Sequence, residues 1–227
     1  IVLKERSIWQ ITLGSTQIGN FFVTEPTLQL ITASYGCIAP RSVIAVENDI
    51  YFVSRDGVNT LGYQANYAID QLRTNSISLK IKPFFDSLTI SQKQSAVARY
   101  FKKKYILTFP GLNKSVVYDT ERGAWMGPWT TDGRVFEIYT DTNSDEHLLF
   151  GDDSSANVYE YSESLTTDSG AAIQTILKTK REDFGNFSNF KNMKHLFFEF
   201  RNVSGSANID TRIEKREPFL SFLQTIP

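Results

Sequence analysis

The chain has 227 residues, of which 41% are hydrophobic and 22% charged, and its formal net charge is −1. This composition is typical of a globular protein with one large or two small domains and a buried core. It lacks the basic excess expected of a dedicated nucleic-acid-binding protein. Seventeen Phe and ten Tyr, with many Ile, Val and Thr, favour strands, so the composition predicts an all-β protein.

Cys37 is the only cysteine, which excludes an internal disulfide. A cysteine-based zinc site needs several Cys or His ligands, so Cys37 is predicted to be a small buried side chain. The sequence predicts no cofactor, no apolar run long enough for a membrane span, and no signal segment. Because the chain opens without Met inside a strand-like pattern, we expect it to be part of a longer polypeptide.

Three segments repeat one pattern: strand, polar turn, strand, polar turn, strand. These segments are 36–63, 95–130 and 134–161, and the opening residues 1–13 read as the last hairpin of another copy. The predicted equivalent strands are Ile50–Val53, Tyr105–Phe109 and His147–Phe150, each in a sheet of its own.

Equivalent positions recur about 43 to 54 residues apart, from Tyr51 to Tyr105 and then to Leu148. Repeats of ~40–50 residues with three or four antiparallel strands are typical of β-propeller blades. The predicted fold is therefore a partial β-propeller over 1–165, with 64–90 as a connecting segment that allows a short helix near 82–88. A plain β-sandwich with regularly spaced strands is the alternative.

After residue 165 the pattern changes to longer strands, predicted near 171–180, 194–202 and 206–214. We interpret 166–227 as the start of a second, β-sandwich-like unit that continues beyond the chain.

Several motifs, in this order, resemble propeller-bearing neck and tail proteins of bacteriophages. The stretches "LKERSIWQI" and "GCIAPRSVIAVENDIYFVSRDGVNTLG" come first, and "YILTFPGLNKSVVYDTERGAWMGPWT" is similar to a blade of those proteins. The later stretches "LLFGDDSSANVYEYSE", "DSGAAIQTILKTKREDFGN" and "KNMKHLFFEF" are similar to the region where such proteins leave the propeller and enter a β-sandwich.

The resemblance implies a structural virion protein, the tail hub or nozzle protein of short-tailed phages or a neck component of other phages. Such a protein is made in the host cytoplasm and forms a ring of its own copies around the DNA channel. Its expected partners are other tail, neck or portal-adaptor proteins, with DNA passing through non-specifically during ejection. The family offers no catalytic residues to transfer, so the protein is expected not to be an enzyme.

Other function classes remain open from the residues alone. A propeller-fold glycoside hydrolase or carbohydrate-binding protein would use carboxylates from Asp56, Asp119 or the pair Asp152–Asp153, with Trp125 and Trp129 as a sugar platform. A cellular propeller scaffold of the WD or kelch kind is disfavoured because its repeat signatures do not occur.

Two further motifs favour turns over sites. The series Asp141, Asn143 and Asp145 matches half of a calcium loop, but Glu146 stands where that loop needs glycine. Asp56-Gly57 is a hairpin signal in which Gly supplies a positive φ and Asp is expected to cap its own turn.

The candidate DNA-facing site is a basic cluster interleaved with aromatic residues. It comprises Arg99, Lys102, Lys103 and Lys104 at a predicted hairpin turn. The candidate subunit contacts are Phe197, Phe219 and Phe222, because 190–227 carries more apolar surface than a short tail can bury.

Overall fold

The computed structural model describes seven parts of the chain: residues 1–66, 69–153, 155–162, 167–168, 170–172, 207–213 and 220–226. The chain divides into two compact units, Ile1–Ala172 and Ile173–Pro227. The described residues are mostly β-strands in six antiparallel sheets, which confirms the all-β class. No helix among them is long and apolar enough to cross a membrane.

Four sheets, named A to D, follow one another along the first unit. Sheet A contains β1 (Val2–Leu3), β2 (Ile8–Ile18) and β3 (Phe21–Thr32). Sheet B contains β4 (Ile44–Val46), β5 (Asp49–Val53), β6 (Val58–Asn66) and β7 (Ile69–Ser76).

Two short helices separate sheet B from sheet C. They are α1 (Lys82–Asp86) and α2 (Ile90–Gln94). Sheet C then contains β8 (Val97–Phe101), β9 (Lys104–Phe109), β10 (Lys114–Asp119) and β11 (Ala124–Trp129). Sheet D contains β12 (Gly133–Thr140), β13 (Glu146–Asp152) and β14 (Val158–Tyr161).

Each of these sheets is a meander in which chain neighbours pair antiparallel. The second strand of sheets B, C and D is β5, β9 and β13, respectively, and each lies in a separate sheet. This confirms the predicted equivalence of Ile50–Val53, Tyr105–Phe109 and His147–Phe150.

Local chemistry explains the turns and the helices. In the turn between β5 and β6, Gly57 has a φ of 147°, and Ser54 Oγ donates to the Gly57 carbonyl while accepting from the Asp56 N–H. Ser54 therefore caps this turn, and the predicted capping by Asp56 is corrected. Helix α1 lies in the predicted helical region 82–88, and α2 begins with a capping box between Thr89 and Gln92.

The structure differs from the sequence interpretation in two places. The region predicted as a connection also forms strands, because 64–66 complete β6 and 69–76 form β7, the fourth strand of sheet B. Sheet A also extends well past residue 13, since β2 and β3 pair from Ile8↔Thr32 to Ile18↔Phe21. Gly19, with a φ of 63°, lies in the turn of this long hairpin.

Three apolar clusters join the four sheets face to face in chain order. Between sheets A and B lie the buried residues Ile8, Cys37, Phe52 and Leu61. Between sheets B and C, strands β5 and β9 and helix α1 contribute the largest cluster, which includes Val53, Phe85, Tyr105, Leu107 and Phe109. Between sheets C and D lie Val97, Phe101, Ile106, Val117, Phe136 and Leu148.

The first strands of sheets B, C and D, which are β4, β8 and β12, lie side by side and run in the same direction. At their starts, Thr108 Oγ1 donates to the Val97 carbonyl of β8 and to the Gly133 carbonyl of β12. At the other end, the Tyr100 hydroxyl of β8 donates to Glu47, the residue that follows β4 (3.2 Å). Strand β8 thus contacts both β4 and β12.

The remaining described strands form two small hairpins. One pairs β15 (Thr167–Asp168) with β16 (Ala171–Ala172), and the other, in the second unit, pairs β17 (Ala207–Ile213) with β18 (Leu220–Ile226). Of the strands predicted after residue 165, the one near 206–214 coincides with β17. Those at 194–202 and over most of 171–180 lie outside the described residues.

Candidate functional site

The basic cluster lies at the β8–β9 hairpin, at the end of the sheet stack where β4 also ends. Lys102 and Lys103 form the turn with φ values of 44° and 64°, and positive φ at both central residues matches the twist of a tight hairpin. Lysine adopts a positive φ less readily than Asn or Gly, so turn geometry alone does not explain why lysines occupy this turn.

Carboxylates from neighbouring sheets neutralise part of this cluster. Lys103 Nζ lies 2.9 Å from Glu47 Oε1, and this hydrogen bond and charge raise the pKa of Lys103 and lower the pKa of Glu47. Arg99 lies 3.7 Å from Glu137 of sheet D. Because exposed ion pairs are weak, typically ~0–1 kcal/mol, a phosphate could displace either carboxylate.

The other two lysines differ in their surroundings. Lys102 Nζ lies 5.0 Å above the ring of the buried Phe101, and because Lys102 itself is exposed, its ammonium is accessible to an anion. Lys104 begins β9 opposite Phe101 and also has an interaction partner. The hairpin can therefore present a modest, partly compensated positive charge, which suits transient phosphate contact better than tight binding.

The sequence interpretation missed Glu47 and Glu137, the carboxylates that face this cluster. Glu47 is the first residue of the turn between β4 and β5, and Glu137 lies in β12 between Phe136 and Ile138, which face the cluster between sheets C and D. The sequence separations are 56 residues for Glu47–Lys103 and 38 residues for Arg99–Glu137 (137 minus 99). The signal that could have found them is a carboxylate within, or just after, the first strand of another repeat, since those strands correspond to β8.

Two of the carboxylates considered for sugar hydrolysis, Asp119 and Asp152, do not converge. Asp119 lies at the end of β10, where it accepts from the N–H groups of Glu121 and Arg122. Asp152 ends β13 beside the start of β12 and accepts from the Ser155 hydroxyl at 2.6 Å. Because β10 and β12 run parallel to β8, these two carboxylates lie at opposite ends of the stack.

Asp153 is engaged in a second local cluster, at the start of β12. It pairs with Arg134, and its N–H donates to the carbonyl of Asp132 at 2.9 Å. Burial raises the pKa of Asp132, whose carboxylate accepts from the Gly111 N–H at 2.9 Å. These hydrogen bonds hold the β9–β10 turn against sheet D, so the role of this cluster is structural.

The two tryptophans pack against protein rings instead of forming an open platform. Trp125 contacts Tyr118 and Phe85, with centroids 5.1 Å and 6.5 Å away, and its Nε1 donates to the Ile77 carbonyl. Trp129 stacks on Tyr161 at 6.3 Å. One edge of Trp125 lines a cavity of about 220 Å³ that is mostly apolar, with Lys80 as the charged side chain among its described lining residues.

The half-match to a calcium loop is a self-capped turn. Asp141 Oδ1 accepts from the N–H groups of Asn143 and Asp145, both at 2.8 Å. Its other oxygen lies 3.6 Å from His147 Nε2, while His147 Nδ1 lies 2.5 Å from Glu160. Among the described residues, no group of three or more potential ligands is placed to hold a metal ion.

Cys37 is buried between sheets A and B, and burial raises the pKa of its thiol. Its Sγ donates to the Ala39 carbonyl at 3.2 Å, so it serves as a packed structural side chain. Of the predicted subunit contacts, Phe197 and Phe219 lie outside the described residues. Phe222 lies in β18 opposite Thr211, and its side chain is not among those described.

The chain matches no protein-family model and no curated protein sequence.

Proposed function

We propose that this protein is a structural component of a phage virion, a tail hub, nozzle or neck protein that forms a ring around the DNA channel. The observation that carries the proposal is the stack of meander sheets, in which the first strands of sheets B, C and D run parallel and side by side. In a β-propeller, consecutive blades are arranged in this way around an axis. We therefore infer that residues 1–165 are propeller blades.

The positions of the motifs that resemble phage proteins support the same proposal. The "SRDGV" stretch forms the β5–β6 turn, "YD" ends β10, "GAW" begins β11, and "FGDD" ends β13 and enters the following turn. Of these motifs, "SRDGV" and "FGDD" lie at the same place, the turn after the second strand, in sheets B and D, as expected of blades.

The charges of the basic hairpin fit a channel wall. Carboxylates pair with Arg99 and Lys103, and the whole chain has a net charge of −1. A strongly basic lumen would release many counterions on DNA contact and hold the duplex tightly. A nearly neutral channel wall, whose few ion pairs can be displaced by DNA phosphates, lets DNA pass.

Electron microscopy of the purified full-length protein, and of virions labelled with antibodies against it, tests the proposal. We expect closed rings with a central opening wide enough for duplex DNA, and labelling at the neck or tail. A protein that stays monomeric at high concentration and is absent from particles would contradict the proposed function.

A further inference from the structure

The long hairpin of sheet A has one apolar face that nothing in the described part of the chain covers. Cross-strand pairing places Trp9 opposite Leu30, Ile11 opposite Leu28, and Leu13 opposite Pro26. Successive residues point to opposite faces, so these six share the face that is turned away from the cluster between sheets A and B. We call it the outer face of sheet A; Leu13 is 73% exposed and Leu28 66% exposed.

The opposite face of the hairpin is polar in the half nearer β1, whereas near the turn it carries Val23 and Phe21, which are 40% and 78% exposed. Gln10 pairs with Gln29 and Thr12 with Thr27, and the two Thr hydroxyls are hydrogen-bonded at 3.0 Å. In residues 8–32 the only charged side chain is Glu25, which shares this polar face opposite Gly14. Natural sheet edges and faces that stay in water usually carry Lys or other charges, so an uncharged apolar face of this length favours association.

The other end of the stack presents a second open face. In sheet D, Gly151 of β13 pairs with Val135 of β12 on one side and with Val158 of β14 on the other. Tyr139 of β12 pairs with His147 of β13. These residues alternate with Phe136 and Leu148, which face the cluster between sheets C and D. This outer face of sheet D is exposed, with Val158 at 69%.

The two outer faces differ in charge. At the root of sheet A, the ammonium of Lys4 lies 5.6 Å above the ring of Trp9, on the outer face. The outer face of sheet D carries Glu137 and Glu160, whose side chains are 73% and 48% exposed and which also contact Arg99 and His147. Contact between two copies of the same face would oppose like charges, whereas contact between unlike faces would bring Lys4 toward carboxylates.

We propose that the outer face of sheet A in one copy packs on the outer face of sheet D in the next copy. The three junctions inside the chain show that the apolar faces of these meander sheets are covered by a further sheet. The same kind of junction between copies is heterologous, because it joins two different surfaces. When it is repeated from copy to copy, it closes a ring or continues the stack. This inference rests on the proposed ring assembly and assigns the surfaces that build it.

The area of the outer face of sheet A sets the expected strength of the contact between copies. Strands of 11 and 12 residues give a face about 36 Å long and ~10 Å wide, roughly 360 Å². A standard interface buries ~800 Å² per partner, so the hairpin supplies about half and the root of sheet A must contribute as well. We expect each single contact to be weak and the assembly to depend on protein concentration.

Disulfide trapping on the full-length protein tests the geometry. One protein carries Leu28→Cys and the other Val158→Cys, and Cys37 stays in place because it is buried. Air oxidation of the mixture is expected to give a mixed dimer, identified by its mass, in at least tenfold excess over either homodimer. The matched control Gln29→Cys, one residue along on the polar face, is expected not to cross-link with Val158→Cys.

Sizing by light scattering complements the trapping. Leu28→Glu is expected to shift the protein to monomers at concentrations where the wild type and the control Gln29→Glu associate, with far-UV circular dichroism unchanged.

The outcomes separate this inference from the proposed function. Rings that form without the mixed disulfide would overturn the assigned surfaces and leave the proposed function standing. A mixed disulfide formed in open stacks, with the protein absent from virions, would support the surfaces and overturn the proposed function. A preference for Leu28→Cys homodimers would overturn the heterologous contact.

Discussion

His147 illustrates how one residue can tie together a turn and two strands. Its imidazole lies between Glu160 and Asp141 and stacks on Tyr139, with centroids 5.1 Å apart. The hydrogen bond to Glu160 is the largest of the effects that raise the pKa of His147 above 6.5. Asp141 remains ionised at neutral pH because N–H groups of its own turn, that of Asp145 foremost, lower its pKa.

We predict that His147 stabilises sheet D at low pH and not at high pH. A raised folded-state pKa gives a contribution that is fully present below the unfolded value of 6.5 and is lost as pH rises through the folded value. Denaturant midpoints of wild type and His147→Gln should therefore differ most just below pH 6.5 and converge as the pH rises above that value. Glu160→Gln should flatten this dependence, and a difference that does not change with pH would contradict the prediction.

Gly36 occupies a position where only glycine fits. A Cβ there would lie 2.2 Å from the Lys4 carbonyl oxygen and 2.5 Å from the Glu5 carbonyl carbon, both backbone atoms. The next residue, Cys37, donates its N–H to the same Lys4 carbonyl at 2.8 Å. The "GC" of the sequence thus joins the root of sheet A to the loop before sheet B.

We expect Gly36→Ala to destabilise the protein by about 1–3 kcal/mol, because the backbone must move apart to admit the methyl group. Chemical denaturation measures the loss. Gly151→Ala is the matched control, since a Cβ at Gly151 meets nothing within 4 Å. Equal stability of the two variants would show that the A–B contact is looser than the structure describes.

At the scale of the element, the β8–β9 hairpin carries a prediction about DNA. If it lines the channel, Glu47→Gln releases Lys103 and should steepen the slope of log affinity against log salt by about 0.9. Lys102→Gln should make the slope shallower by a similar amount. Fluorescence anisotropy with random-sequence duplex measures both slopes.

The control for this experiment is another exposed ion pair. Lys82 lies 2.6 Å from Asp86 on α1, with exposures similar to those of Lys103 and Glu47. Asp86→Asn should leave the slope unchanged. If Glu47→Gln and Asp86→Asn behave alike, the hairpin does not face DNA.

Sequence patterns predicted the short-range elements and missed those set by tertiary contacts. The repeated pattern of strand, polar turn and strand predicted the hairpins of sheets B and C, because each turn is formed by residues close together in the sequence. The hairpin over 8–32 was missed although Gly19-Asn20 is a turn signal, since Gly14 and Pro26 weaken a strand pattern. The partners of the basic cluster could not be predicted, because Glu47 and Glu137 reach it only once the sheets stack.

At the scale of the whole molecule, the three apolar junctions should make the stacked sheets unfold together. Phe52, Leu107 and Leu148 are each 0% exposed and lie at the A–B, B–C and C–D junctions. Replacing any one with Ala should cost about 2–5 kcal/mol. Because each junction couples two sheets, the loss should lower a single transition seen equally by fluorescence and circular dichroism.

The control for these variants is Leu13→Ala, whose side chain is 73% exposed. In dilute solution it should change stability by less than about 0.5 kcal/mol. If Leu148→Ala splits unfolding into two steps, sheet D is an independent unit.

The meander order of the sheets also bears on how the chain folds as it is made. Every strand pair in sheets A to D joins neighbours along the chain, so pairing within each sheet needs only short loop closures. During synthesis, sheet A can complete its pairing before sheet B leaves the ribosome, and each later sheet can dock on the one before it. Until the next sheet arrives, the growing end exposes one apolar face, and at that stage the nascent chain depends most on chaperones.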